Sequence, residues 1–223
     1  MSIKSLDFAE PFFPVKYIED EKEYYVKGKC IVLNLSGDPI LINDRPLNFF
    51  QSVVVINTPI FNVRRCFIVE KFADYPDEEA LFEEVKKTWP LAYEVTREER
   101  HRGVALWRSP KVRIGDDLAV NMCFAGSIPL NVGLHKTHWG GPPIMEVHTQ
   151  IVGIGKMQQY YEQDLKTLYR EEYMAPGCSH IPMFDENCEY PWHQYETVTK
   201  GIFMATEILF KGRVLKNPTR REM

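Results

Sequence analysis

Short stretches rich in apolar, β-branched and aromatic residues recur along this chain, in places alternating with polar residues at period two, and clusters of Gly, Pro, Asn and Asp separate them. Strand side chains point to opposite faces with that period, so the pattern predicts a mainly β protein. From Glu23 to about Phe72 the stretches YYVKGKCIVLNLS, PILIND, QSVVVINT and RRCFIVEKF are rich in β-branched and aromatic residues, with turn chemistry at Gly37-Asp38-Pro39 and Asn43-Asp44. From Gly103 to Lys211 the signal returns in VALWRS, VRIG, LAVNMCFAG, MEVHTQIVG, GKMQQYYE, TLYREEYMAP and GIFMATEILF. Many short strands between Gly and Pro turns imply an antiparallel sandwich or barrel.

Between these stretches the period changes. In DYPDEEALFEEVKKTWPL, Asp77 is placed to cap a helix, Glu78 and Glu79 fall in its first turn, Lys86 and Lys87 in its last, and Pro90 stops it. Leu81, Phe82, Val85 and Trp89 make its apolar stripe. The TREERHRG that follows reads as a solvated connector with His101 exposed in it. The division predicts a β-rich lobe over residues 1–102 ending in the one helix, either a degenerate barrel half or a dimerisation arm, and a second β domain over 103–223.

Composition narrows the class. Of the 223 residues 44% are hydrophobic and 26% charged, enough to bury a core, and the net charge of −4 with no long basic run argues against a nucleic-acid partner. No apolar run is long enough to span a membrane and the N-terminus lacks a secretory signal, so a cytoplasmic protein without a membrane partner is expected. Five cysteines in no CxxC pair suit a reducing compartment and ordinary thiols.

Candidate chemistry concentrates late in the chain. Five of six histidines, His135, His138, His148, His180 and His193, lie between 135 and 193. In EVHTQIVGIG the polar Glu146, His148 and Gln150 alternate with Val147, Thr149 and Ile151, so one face of a buried-looking strand carries a carboxylate, an imidazole and an amide. A buried carboxylate without a partner is strongly disfavoured, and a divalent ion would relieve it. In EYPWHQYE, His193 sits among aromatic rings just before the last strand, in what reads as a loop packed over the barrel mouth.

These residues resemble the cupin superfamily of small antiparallel β-barrels that commonly hold one divalent metal. Glu146 followed by six residues and Gly153, with Gly155 completing Gly-x-Gly, is similar to the end of its first motif, and Gly177 three positions before His180 is similar to part of its second. A departure is that LHKTHWGGPPIME replaces the usual His-x-His before the glutamate, and Tyr169, Ala175 and Phe184 stand where the second motif has Gly, Pro and Asn. The resemblance implies a jelly-roll barrel with Glu146, His148, His180 and His138 as metal ligands, and His135 as the competitor of His138. The ion it implies is iron first, with Mn, Ni, Zn or Cu as alternatives. His193 and Gln150 are the candidate catalytic groups, and Trp192, Tyr195 and His135 line the substrate pocket in this reading. The implied activity is a metal-dependent enzyme acting on a small polar organic molecule: a dioxygenase first, an isomerase or lyase on a sugar-like or keto-acid substrate second. A non-catalytic small-molecule-binding barrel is the remaining alternative. Cupins often pair through their N-terminal strands, so a homodimer is expected.

Overall fold

The computed structural model describes residues 2–136 and 142–212. The chain begins with β1 (Ser2–Leu6), the 20-residue β2 (Val15–Asn34), a tight pair β3 (Ile40–Ile42) and β4 (Arg45–Leu47), and the 18-residue β5 (Ser52–Val69). QSVVVINT and RRCFIVEKF, read as two strands, are therefore one. The long β2–β5 hairpin bends instead of breaking. Its register shifts between Val26 and Lys29, where Gly28 (φ 74°) donates its N–H to Asn57 Oδ1 at 2.8 Å and Asn57 itself has φ 46°. Past the bend the hairpin folds back, so that Cys66–Val69 pair on one side with Val15–Ile18 and on the other with Ile31–Asn34. Alternation then sorts the side chains: Ile31, Leu33, Phe67 and Val69 enter the main core, while Val32, Ile18, Cys66 and Ile68 close a smaller cluster.

The helix forms where expected, as α1 (Glu78–Thr88). Asp77 caps it by accepting the Ala80 N–H at 3.0 Å, and Leu81, Phe82 and Val85 are buried. Phe82 stacks on Phe124 with centroids 4.6 Å apart, which docks the helix on the second half of the chain. The stretch from Ala92 through the TREERHRG connector departs from expectation. It adds a short α2 (Ala92–Thr96) and a single 3-10 turn, Glu99–His101, and it buries His101 because the imidazole turns back to Thr96 Oγ1 at 3.2 Å.

The second half comprises β6 (Leu106–Arg108), β7 (Val112–Ile114), β8 (Leu118–Ala125), β9 (Ile144–Val152), β10 (Gly155–Tyr160), β11 (Leu168–Met174), β12 (Trp192–Thr197) and β13 (Gly201–Leu209). One sheet runs β6-β8-β13-β9 with β7 added on β8, a second runs β11-β10-β12, and the strand pairs are antiparallel. β9 turns into β10 at Gly153, whose φ is 73° and where a Cβ would lie 2.1 Å from the Lys200 carbonyl oxygen. Much of EYPWHQYE, read as a loop, is strand β12, because β10 offers it a complete ladder from Gly155↔Thr197 to Tyr160↔Trp192. Tyr195 of β12 packs on Phe203 of β13 with centroids 4.3 Å apart, so the two sheets face each other in a jelly-roll arrangement.

One hydrophobic core runs through both halves, from Leu6 and Phe67 to Met157 and Ile208. Polar contacts cross between them as well: Arg65 on β5 makes two 3.0 Å bonds to Asp117, and Ser52 Oγ donates to the Gly177 carbonyl at 2.8 Å. The five cysteines are unpaired. No helix among the described residues is long and apolar enough to cross a membrane.

Candidate functional site

The β6-β8-β13-β9 sheet lines a cavity of about 400 Å³. Strand register sets the pattern of its wall. Asn121, Ala205 and His148 form one row across β8, β13 and β9, and Ala119, Glu207 and Glu146 form the next. Glu146 and His148 therefore do share an inward face, as their spacing predicted, and Glu146 Oε1 lies 3.5 Å from His148 Nε2. Both side chains are buried, and among the described residues His148 Nδ1 has no hydrogen-bond partner. The Glu146 N–H donates to Tyr190 Oη at 2.7 Å, and the Tyr190 hydroxyl donates to the Ile144 carbonyl at 2.8 Å. Burial first, and the Glu146 charge second, push that phenol well above its usual range, so it stays a neutral donor.

His180 is brought to the pair but plays a different part. Gly177, with φ 89°, turns the chain where any Cβ would lie 2.4 Å from Val54, and the next residues run beside β9. There the Gly177 N–H donates to the Gln150 carbonyl at 2.8 Å, and the His180 N–H to the His148 carbonyl at 3.3 Å. The His180 ring uses both nitrogens on backbone: Nδ1–H donates to the Ile181 carbonyl at 2.9 Å and Nε2 accepts the His148 N–H at 3.0 Å. No lone pair of this imidazole remains for an ion, which does not suit the ligand role expected of it. Burial, reinforced by neighbouring His148, lowers its pKa to about 3, so the ring is neutral.

The other expected site residues are distributed as follows. His138 lies outside the described residues. His135 lines the cavity and its ring packs on His193 with centroids 4.2 Å apart. In each of these two rings Nδ1–H donates to a carbonyl, of Gly133 at 2.8 Å and of Pro191 at 2.9 Å, which leaves Nε2 as the basic nitrogen. Gln150 does not reach the cavity, since Oε1 accepts the Tyr195 hydroxyl at 3.1 Å and Nε2 donates to the Val152 carbonyl at 2.8 Å. That bond and full burial place Tyr195 in the core between the sheets, not on a pocket wall, and Trp192 is half-buried away from the cavity.

Residues that sequence reasoning passed over complete the wall. His101 lines it as a neutral imidazole, its pKa lowered to about 4 by burial and then by the Arg100 charge. Arg108 of β6 points its Nη2 at Asn121 Oδ1, 3.1 Å away. Cys123 is buried beside them, and burial pushes its thiol up to about 11, so it is no thiolate nucleophile. Asn121 carried a signal, an amide inside the apolar LAVNMCFAG, whereas nothing in WRSP distinguished Arg108 from a surface arginine.

A metal ion fits this wall in part. Two donors about 2.1 Å from one ion at the tetrahedral angle are roughly 3.4 Å apart, which matches the Glu146–His148 pair. Among the described residues no group of three His, Cys, Asp or Glu side chains is arranged to hold an ion. The described residues thus supply a carboxylate oxygen and an imidazole nitrogen, not a closed ligand set.

The cavity is partly open, and its wall mixes apolar residues such as Leu106, Val132 and Phe203 with many charged and polar ones. No family model and no curated protein sequence matches the chain. Among solved structures it is similar to a cupin 2 conserved barrel domain protein from Leptotrichia buccalis at 12% identity and TM-score 0.34, covering 94% of this chain and 89% of that one. It is also similar to the R92A mutant of Bacillus subtilis oxalate decarboxylase OxdC at 10% identity and TM-score 0.36, covering 92% of this chain and 70% of that one.

Proposed function

We propose that this chain is a metal-dependent enzyme of the cupin kind that acts on a small polar organic molecule in the barrel cavity, with Glu146 and His148 as its reactive centre. The observation that carries the reading is the buried carboxylate–imidazole pair, 3.5 Å apart and facing a cavity of small-molecule size. The chain's own residues do three things there. Without an ion between them the Glu146 carboxylate would accept a proton from a bound hydroxyl or activated carbon and His148 would hold or return it; with an ion there, both groups serve as its ligands and give up that role. The neutral His101 on the wall and the neutral Tyr190 hydroxyl behind Glu146 add no charge of their own beside the pair, and Phe203 packs an apolar ring against His148. A divalent ion held by Glu146 and His148 would supply Lewis-acid polarisation of the substrate or, if it is a redox metal, a place for dioxygen.

Elemental mass spectrometry of protein purified without chelator tests this on wild type, Glu146→Gln, His148→Ala and His180→Ala. Near-stoichiometric metal is expected in the wild type, with a sharp loss in the first two variants and retention in the third. Iron, copper, manganese or nickel together with substrate-dependent oxygen uptake supports the dioxygenase reading; zinc without oxygen uptake supports isomerase or lyase chemistry. Wild-type protein free of metal after gentle purification would replace the enzyme with a binding barrel.

A further inference from the structure

We propose that Arg108 and Asn121 form a carboxylate-binding subsite on the same cavity wall as Glu146 and His148, with Asn121 two strands away, so that the molecule held there is a small organic acid. The proposal deepens the functional reading above and rests on it for the chemistry, although its test reads binding alone.

Four cationic side chains line the cavity, Arg100, Arg108, Lys111 and Arg113. Arg100 is neutralised by Glu98 at 2.7 Å and Lys111 by an ion pair with Glu207, while Arg113 is exposed to solvent. Arg108 differs from all three. It is half-buried, its side-chain partner is the neutral amide of Asn121, and among the described residues no carboxylate lies within ion-pair distance of it. A guanidinium carries five N–H donors in a rigid fork, of which Asn121 takes one. A partly desolvated cation without a counter-ion is unfavourable, and a carboxylate bound through two parallel N–H bonds removes both the charge imbalance and the unused donors.

The spacing of the wall defines what fits. Asn121, Ala205 and His148 occupy one row on three adjacent strands. Strands in a sheet are about 4.8 Å apart, so the backbones of Asn121 and His148 are roughly 10 Å apart with only the Ala205 methyl between them. A short carbon chain with a carboxylate at the Arg108 end therefore places its other end at the Glu146–His148 pair. The matching chemistry is a hydroxy or oxo acid of a few carbons.

The test is calorimetric titration of the full chain with 2-hydroxybutyrate and 2-oxobutyrate, each compared with its neutral amide, on wild type, Arg108→Gln, Arg108→Lys and Glu146→Gln. The acids are expected to bind wild type at least roughly tenfold more tightly than the amides, as charge-assisted bidentate bonds predict. Arg108→Gln should bring the acids to the level of the amides, and Arg108→Lys should fall between. Glu146→Gln, which alters only the far end of the site, should keep the preference for acid over amide whatever its overall affinity. Equal binding of acid and amide by the wild type overturns the proposal without needing any variant to fold, and so does failure of every acid to bind. Undiminished acid binding by a folded Arg108→Gln protein does the same. Turnover of a neutral substrate at wild-type kcat/KM in Arg108→Gln would remove the subsite and leave the enzyme; selective acid binding in a chain without metal or turnover would do the reverse.

Discussion

Two imidazoles, His101 and His180, are held neutral inside the protein at pH values where an exposed histidine takes up a proton. Their pKa values, about 4 and about 3, are lowered chiefly by burial, with help from Arg100 in one case and His148 in the other. In the unfolded chain both titrate near 6.5, so below that pH the unfolded state binds more protons than the native state. Their stability contribution is therefore full above about pH 6.5 and is lost as pH falls toward the native pKa values, by at most about 1.4 kcal/mol per pH unit for each ring. Urea midpoints measured from about pH 7 to pH 5 should fall, and His101→Gln should flatten the decline; an equally steep profile in that variant would count against a neutral buried His101. The same chemistry reassigns His180→Ala. Removing the ring deletes the acceptor for the His148 N–H, which should cost about 1–3 kcal/mol of stability without touching the Glu146–His148 pair.

Single strands and turns depend on a few backbone positions. The segment carrying His180 reaches β9 only because Gly177 passes close to Val54 of β5 in a left-handed conformation. Gly177→Ala meets both the positive φ and a contact at 2.4 Å, so Val54 or the turn must shift. Its denaturation midpoint should drop by the equivalent of about 1–3 kcal/mol, whereas a glycine replaced at Gly115, which has open space around its Cβ, should cost less. Equal losses at the two positions would mean that the approach to Val54 carries no weight. Helix α1 illustrates the opposite case. Its cap, acidic first turn, basic last turn and apolar stripe were all readable as local sequence signals, and the folded helix uses them without change. Strand β12 was not readable in that way, since WHQYET owes its extended state to a ladder with β10, more than thirty residues earlier in the chain.

The molecule as a whole is organised around one core shared by the β2–β5 hairpin and the two later sheets. Phe82 on Phe124, Phe50 on Phe184 and the paired Arg65–Asp117 bonds all join residues from the two halves. Thermal and urea unfolding should accordingly follow a single transition by both far-ultraviolet dichroism and tryptophan fluorescence. The fragment 103–223, deprived of the apolar face that Leu33, Phe67 and Val69 supply, should fail to reach a folded state on its own. Two separated transitions, or a folded fragment, would show that the halves are energetically independent.

The sequence by itself determined the β class, the helix and its limits, the turn at Asn43-Asp44, and the inward alignment of Glu146 with His148. Each of these follows from local chemistry: period-two alternation, capping, and left-handed backbone that Asn and Asp tolerate. The tertiary structure alone decided that His180 spends both nitrogens on backbone, that Gln150 and Tyr195 bond to each other, that His101 is buried, and that Arg108 faces the cavity with an amide as its side-chain partner. A side chain's type and spacing indicate which face of its own strand it occupies. Which atoms then meet it depends on strands and loops distant in sequence, and that is where the roles of ligand, core group and anion anchor part.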